Sequence, residues 1–274
     1  MKNISDKKWC SLSIRLDLID DLDFVYSQFY NYMIGVNEEK DRLIFYFDFE
    51  SKESVQSVIA NQFVNQDFNI EDIGYENWHT NYKKYFKPIQ INKNFMIVPH
   101  WHETNNDMDV KIMPGMAFGT GTHETTQLII SNMINYIKPG DRVLDLGSGS
   151  GILGIAALKF KAQEIIAVEY DSDCKDNFVE NMSLNNFHNN YTLLIEDVLQ
   201  YQNYDVDLIL ANINKNIILN LLPKIERYRT NKSKIILSGL LVNDRNDTIN
   251  LIKKLNFNLI HEAQQGEWIC IIID

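Results

Sequence analysis

Along the first seventy residues the spacing of apolar positions switches repeatedly between two periods. "WCSLSIRL" (9–16) and "RLIFYFDF" (42–49) are rich in aromatic and β-branched residues and read as strands. "DDLDFVYSQFYNYM" and "SKESVQSVIANQFV" place apolar residues at helical spacing behind Asp or Ser starts, and read as helices. With short strands at "MIGV" and "FNIEDIG" the order becomes β-α-β-β-α-β, a split βαβ or ferredoxin-like unit. "ENWHTNYKKYFKPI" then predicts a polar helix that ends at Pro88, because proline lacks an N–H and disfavours helix in the residue before it. Trp78, Tyr82 and Phe86 recur every four residues along it, which predicts one packed face. The expected organisation is an N-terminal domain over 1–74, a linker helix over 75–88 and a larger domain over 89–274.

Beyond two short strands, "NFMIVP" and "DVKIM", the pattern settles into βα units. The strands are "RVLDLG", "EIIAVE", "YTLLIE", "VDLILAN" and "KIILSG", with helices starting near Gly151, Ser172, Asn214 and Asn243. Such alternation predicts a parallel sheet with helices on both faces. The end of the chain breaks it: "NFNLIHEA" and "EWICIIID" are separated only by "QQG", too short for anything but a hairpin. The last strand should therefore run antiparallel to its neighbours.

Length and composition narrow this picture. A chain of 274 residues that is 45% hydrophobic, with five prolines and no repeat or low-complexity tract, has enough apolar surface for two unequal folded domains. No apolar run reaches signal-peptide or membrane-span length, so a cytoplasmic protein without membrane attachment is expected. Cys10, Cys174 and Cys270 are too far apart for metal-site spacing, so no metal is expected and the thiols read as reduced and structural. A net charge of −11 opposes general nucleic-acid binding and favours a basic partner, so no direct nucleic-acid contact is expected. Nothing in the pattern sets an oligomeric state, and a monomer is the default expectation.

The candidate chemistry gathers at "DLGSGSGILG". Gly147, Gly149 and Gly151 give the G-x-G-x-G spacing of S-adenosylmethionine sites, while Gly149, Gly151 and Gly154 give the dinucleotide spacing G-x-G-x-x-G. In both readings the glycines admit a ligand at the carboxyl end of a strand, and Glu169, ending the next strand, can accept from ribose hydroxyls. Three features favour S-adenosylmethionine. Asp145 sits where a carboxylate suits a cationic amino group and would repel a pyrophosphate, although it could equally bond the turn's own amides. The terminal hairpin matches class I methyltransferases. "LILANIN" ends a strand in Asn212, where many amino-methyltransferases carry Asn-Pro-Pro-aromatic. The Pro-Pro-aromatic wall that clasps a flat base is missing here, which lowers base methylation as a reading.

A second glycine- and threonine-rich segment is more specific. "PGMAFGTGTHETT", then "VLDLGSGSGILGIAALK", then "ANI" resemble the ribosomal protein L11 methyltransferase family, as does "NWHTNYKKYFKPIQINKNFMIVPHW". The resemblance covers most of the chain. It implies a class I methyltransferase domain (Rossmann-like, mainly parallel with an antiparallel last strand) behind a small α+β ferredoxin-like N-terminal domain. It implies methyl transfer from S-adenosylmethionine to amino groups of ribosomal protein L11, with the N-terminal domain recognising that protein. The family's cofactor contacts fall on Thr126, Gly147, Glu169 and Asn212, beside Asp145, Gly149 and Gly151 of the turn, and Asn212 is the catalytic candidate. Two positions depart from the family pattern: Ser148 stands where Cys is frequent, and Glu169 where Asp is usual.

Read from the residues alone, Thr120 or Thr122 is a candidate cap for the helix that follows, Thr126 would lie in its first turn, and His123 fits helix-start packing better than a base. An N-methyltransferase of another protein or of a small molecule, and a non-catalytic S-adenosylmethionine-binding ribosome-assembly factor, are the alternatives. The glycines and Asn212 argue against a lapsed site.

Overall fold

A computed structural model of the chain describes residues 9–19, 22–29, 32–38, 41–63, 68–73, 86–114, 119–229 and 233–274. They divide into two compact units, one ending at Phe86 and the other starting at Lys87. The expected linker helix, with Trp78 and Tyr82, falls almost wholly outside the described residues, as do Gly115 to Phe118 of the glycine-threonine segment.

The N-terminal unit contains β1 (Trp9–Arg15), α1 (Leu22–Phe29), β2 (Met33–Glu38), β3 (Arg42–Asp48), α2 (Lys52–Gln62) and β4 (Asn69–Ile73). Its sheet has the order β2-β3-β1-β4 with every pair antiparallel. That is the split βαβ order read from the alternation. In β3, Leu43, Phe45 and Phe47 are buried, and they pack with Leu12 and Ile14 of β1, Phe29 of α1 and Val55 of α2. Period-two burial on one sheet face closed by two helices is what the sequence pattern encodes.

The second unit begins with a small sheet of β5 (Ile89–Asn92), β6 (Phe95–Pro99) and β7 (Val110–Ile112), which the sequence reading only partly anticipated. Phe95, Ile97, Val110 and Ile112 of this sheet join the main core. The remaining elements are α3 (Glu124–Met133), β8 (Arg142–Leu146), α4 (Ile152–Lys159), β9 (Glu164–Glu169), α5 (Cys174–Leu184), β10 (Tyr191–Ile195), β11 (Leu208–Asn212), α6 (Lys215–Tyr228), β12 (Lys234–Leu241), α7 (Arg245–Lys254), β13 (Leu259–Gln265) and β14 (Trp268–Ile273). The large sheet has the order β10-β9-β8-β11-β12-β14-β13. Pairs from β10 to β12 are parallel, and β14 is antiparallel to both of its neighbours. The hairpin is tighter than read: Gln264 and Gln265 belong to β13, and the turn is Gly266–Glu267.

Both faces of this sheet are covered. Val143, Ala167, Leu210 and Ile236 point to one side with residues of α3, α4 and α5, while Leu144, Val168, Ile209 and Leu237 point to the other with α6 and α7. This explains why the strands read as continuous apolar runs rather than alternating ones. Strand order reverses at β8, so the carboxyl ends of β8, β9 and β11 open onto one crevice, the position where open α/β sheets take ligands. No helix among the described residues is long and apolar enough to cross a membrane, and no group of three His, Cys, Asp or Glu among them could hold a metal ion.

Candidate functional site

The turn after β8 bends through three glycines in the left-handed region, with φ of 76° at Gly147, 51° at Gly149 and 82° at Gly151. L side chains rarely adopt that conformation, and two of the positions are also sterically closed. A Cβ on Gly147 would lie 2.5 Å from Ile213 Cγ2, and one on Gly151 would lie 2.8 Å from the Phe178 ring. Gly151 is the N-cap of α4 and brings no side chain, so the cap residue itself bonds none of that helix's first amides. Gly154, inside α4, sits close to the sheet: a Cβ there would be 3.0 Å from Ile165 Cγ2.

Two carboxylates frame the turn. Glu169, the last residue of β9, accepts from Gly149 N at 2.8 Å through Oε2 and from Asp171 N at 3.0 Å through Oε1. It is thereby held against the middle glycine at the crevice edge. Asp145 is fully buried at the base of the turn. Its Oδ2 accepts from Gly154 N at 3.2 Å, an amide of α4 rather than one of the turn's own, and its Oδ1 has no partner. Loss of hydration pushes its pKa up to about 7, Gly154 N–H partly offsets this, and the Glu169 charge adds to it. The Ser148 hydroxyl is also buried without a partner.

Asn212 ends β11 on the same sheet face as Asp145. Its Nδ2 donates to Thr126 Oγ1 at 3.3 Å, so the structure joins two residues separated by 86 positions in the chain. Thr126 is completely buried in the first turn of α3. With the amide nitrogen turned toward Thr126, the Asn212 oxygen remains as an acceptor at the strand end.

The cap of α3 is a correction to the sequence reading. His123, not Thr120 or Thr122, occupies it: Nδ1 accepts from Thr125 N at 3.3 Å and lies 2.8 Å from Thr125 Oγ1. Its ring packs edge-on against Trp268 at 4.8 Å. Nδ1 is committed as an acceptor, which fixes the neutral ring as the Nε2–H tautomer and favours the packing role. Thr120 and Thr122 instead pair with each other at 3.0 Å.

A set of residues that the sequence reading passed over braces the glycine-threonine segment. Asn177, Asn181 and Asn185 recur every four residues along and just past α5, so they stack on one face. Asn181 donates to Ser150 O at 2.9 Å and accepts from Met113 N at 2.7 Å. Asn177 donates to Met113 O at 3.0 Å, and Asn185 accepts from Lys111 N at 2.9 Å and donates to Lys111 O at 2.7 Å. Ser150 Oγ completes the tie by donating to Gly119 O at 2.6 Å. The signal was present as three asparagines at helical spacing, residues that do little for helix propensity and therefore point to side-chain bonding elsewhere.

Comparison with known proteins follows this geometry. Residues 22–274 match the family described as ribosomal protein L11 methyltransferase (PrmA). The chain is 38% identical over 214 residues to the ribosomal protein L11 methyltransferase of Listeria monocytogenes serotype 4b, an alignment covering 76% of this chain and 68% of that protein. It is 36% identical over 200 residues to the Clostridium perfringens (strain SM101) protein of the same name, covering 72% and 64%. The chain thus spans about two thirds of the length of these relatives. Among solved structures, the ribosomal protein L11 methylase of Lactobacillus delbrueckii subsp. bulgaricus aligns with a TM-score of 0.64 at 27% identity, covering 69% of this chain and 98% of that one.

Proposed function

The chain belongs to the ribosomal protein L11 methyltransferase family, and from that membership we propose that it transfers methyl groups from S-adenosylmethionine to amino groups of ribosomal protein L11, on lysine side chains, the N-terminal amine or both. The observation that supports the cofactor most directly is the buried Asp145 oxygen without a partner at the base of the glycine turn. A carboxylate there suits a cationic ligand and would repel the pyrophosphate of a dinucleotide. The residues that would hold the cofactor are Gly147, Gly149 and Gly151 of the turn, with Asp145, Glu169, Thr126 and Asn212 around it. S-adenosylmethionine supplies a methyl carbon on a sulfonium, open to in-line displacement by an amine.

The chain's task is then alignment and exclusion of water. Asn212 is assigned to the acceptor amine: its side-chain oxygen accepts an N–H and so aims the nitrogen lone pair, while Thr126 prevents the amide from rotating. A lysine arrives protonated, and holding it neutral near pH 7.4 costs about 4 kcal/mol from a reference pKa near 10.4. Loss of the proton to solvent carries that cost and needs no dedicated base. His123 is not assigned as one, because its Nδ1 caps α3.

Selection of the substrate is assigned to the N-terminal unit. Its first seventy residues contain seven Lys or Arg against twelve Asp or Glu, and "DLIDDLD" adds a local acidic run that would steer a basic ribosomal protein. The test is mass spectrometry of ribosomal protein L11 after incubation with the chain and S-adenosylmethionine, with peptide mapping of each added methyl. Calorimetric titration with S-adenosylhomocysteine and with NAD runs beside it. Tight NAD binding with no S-adenosylhomocysteine signal overturns the cofactor assignment. Cofactor binding with an unmodified ribosomal protein moves the small-molecule and non-catalytic readings ahead. A fragment starting at residue 87 that binds cofactor yet methylates ribosomal protein L11 at the full-length rate removes the N-terminal unit from substrate selection.

A further inference from the structure

We propose that Gly239 is a positioning residue for methyl transfer: it seats the backbone of Ile213 and thereby sets the spacing between the glycine turn and the Asn212 amide. The proposal rests on the methyl-transfer reading of the crevice.

The register of β12 against β14 shifts between Leu237 and Leu240, and Gly239 lies in that irregularity with φ +81°. A bulge bends its strand and re-aims the neighbouring chain. Here the neighbour is the segment leaving β11. A Cβ on Gly239 would lie 2.3 Å from Ile213 O, 2.8 Å from Ile213 C and 3.1 Å from Ile213 N. All three are backbone atoms, so no change of rotamer relieves the overlap. The bulge is itself anchored, since Ser238 Oγ donates to Ile269 O at 2.9 Å and Ser238 O accepts from Ile213 N at 3.3 Å.

Ile213 is confined on its other side by the cofactor turn, where its Cγ2 would be 2.5 Å from a Cβ on Gly147. It is therefore held between two glycines, its backbone on Gly239 and its side chain on Gly147. The flanking residues leave little slack. Asn212 is bonded to Thr126, and Asn214 caps α6 by accepting from Ile217 N at 3.1 Å. A methyl group at 239 must push Ile213 O back by about 1 Å to restore ordinary contact. A shift passed along the chain reaches the Asn212 amide and the floor of the glycine turn, where an ångström of misplacement costs on the order of 10²-fold in rate.

The experiment uses full-length Gly239→Ala, Ile213→Ala and the double variant beside wild type. It measures ribosomal protein L11 methylation at saturating S-adenosylmethionine, S-adenosylhomocysteine affinity by calorimetry, and thermal midpoints. Gly239→Ala should lower kcat about 100-fold with a much smaller change in S-adenosylhomocysteine affinity. Removing Cγ2 in the double variant gives the displaced backbone room over Gly147, so part of the lost kcat returns and the pair is non-additive. A folded Gly239→Ala protein with wild-type kcat overturns the inference, and so do additive effects. If Gly239→Ala does not fold, Ser238→Ala frees the bulge from Ile269 without straining residue 239. It should lower kcat selectively, and an unchanged kcat overturns the inference. Wild type that binds S-adenosylhomocysteine but leaves the ribosomal protein unmodified overturns the proposed function instead. In that case the thermal midpoints of the four proteins still decide the seating of Ile213, since additive shifts exclude it.

Discussion

Asp145→Asn isolates what the buried carboxylate costs the protein. The substitution keeps an oxygen to accept from Gly154 N–H and removes the charge. In the native chain this carboxyl is fully buried and its pKa is raised from 3.8 to about 7. At 1.36 kcal/mol per unit, the ionised form is disfavoured by about 4 kcal/mol relative to the unfolded chain. Because the folded state holds the proton more tightly, the unfolded state binds fewer protons between about pH 4 and 7, and stability falls as pH rises through that window. Above about pH 8 both states are ionised and the penalty is constant. The asparagine NH2 replaces an unpartnered oxygen with an unpartnered donor, which costs roughly 1–3 kcal/mol at every pH. The variant should therefore match or trail wild type near pH 4 and exceed it by about 1–3 kcal/mol at pH 8. Between about pH 5 and 8 the difference should change by about 3 kcal/mol. Hydrogen exchange of the β8 amides in the full-length chain, read by mass spectrometry, measures this, because core strands exchange through global opening and intrinsic exchange cancels between variants. The same variant should bind S-adenosylhomocysteine more weakly at pH 8. A wild-type-to-variant difference independent of pH would falsify the account of Asp145 as a strained, ionisable group.

Asn212→Ala should reduce kcat for ribosomal protein L11 by about tenfold or more while S-adenosylhomocysteine affinity changes little, because orientation of the amine counts most in the transition state; equal losses in both would make Asn212 a cofactor contact alone. Asn181→Ala strands Ser150 O and Met113 N, and should lower unfolding free energy by roughly 1–3 kcal/mol per stranded group; an unchanged urea midpoint would remove the asparagine ladder from the brace on the glycine-threonine segment. Gly147→Val should lower the thermal midpoint as well as abolish S-adenosylhomocysteine binding, since its φ is +76° and its Cβ meets Ile213; a midpoint equal to wild type, with binding lost, would mean that the side chain fills only ligand space.

The alternation of β-rich and helix-period segments was enough to place most elements of both units along the chain, β5 excepted, because burial on one or two sheet faces is written directly into local apolar spacing. The short connection between β13 and β14 likewise forces an antiparallel last strand, since no crossover fits in so few residues. The glycine turn was legible because a left-handed backbone restricts residue choice at the position itself. Asp145, Glu169 and Asn212 were legible as strand-end residues, placed together by any parallel sheet of this order.

What the sequence left open were pairings across long separations. Thr126 meets Asn212 across 86 positions, and Asn181 reaches both Ser150 and Met113. Local spacing offered Thr120 or Thr122 as the cap of α3, but His123 won the position because Trp268, from the last strand, packs against its ring. Gly239 had no signal beyond being a glycine in a strand. Its role exists only because the bulge in β12 faces the backbone of Ile213, and that in turn depends on β11 and β12 lying side by side. The chain's own pattern thus determined which elements form and which edge gathers the polar residues, since both follow from short-range periodicity and backbone conformation. Hydrogen-bond partners, the unpaired buried carboxylate and the seat of Ile213 were decided only when distant segments packed, because each is a property of the space between elements rather than of any one of them.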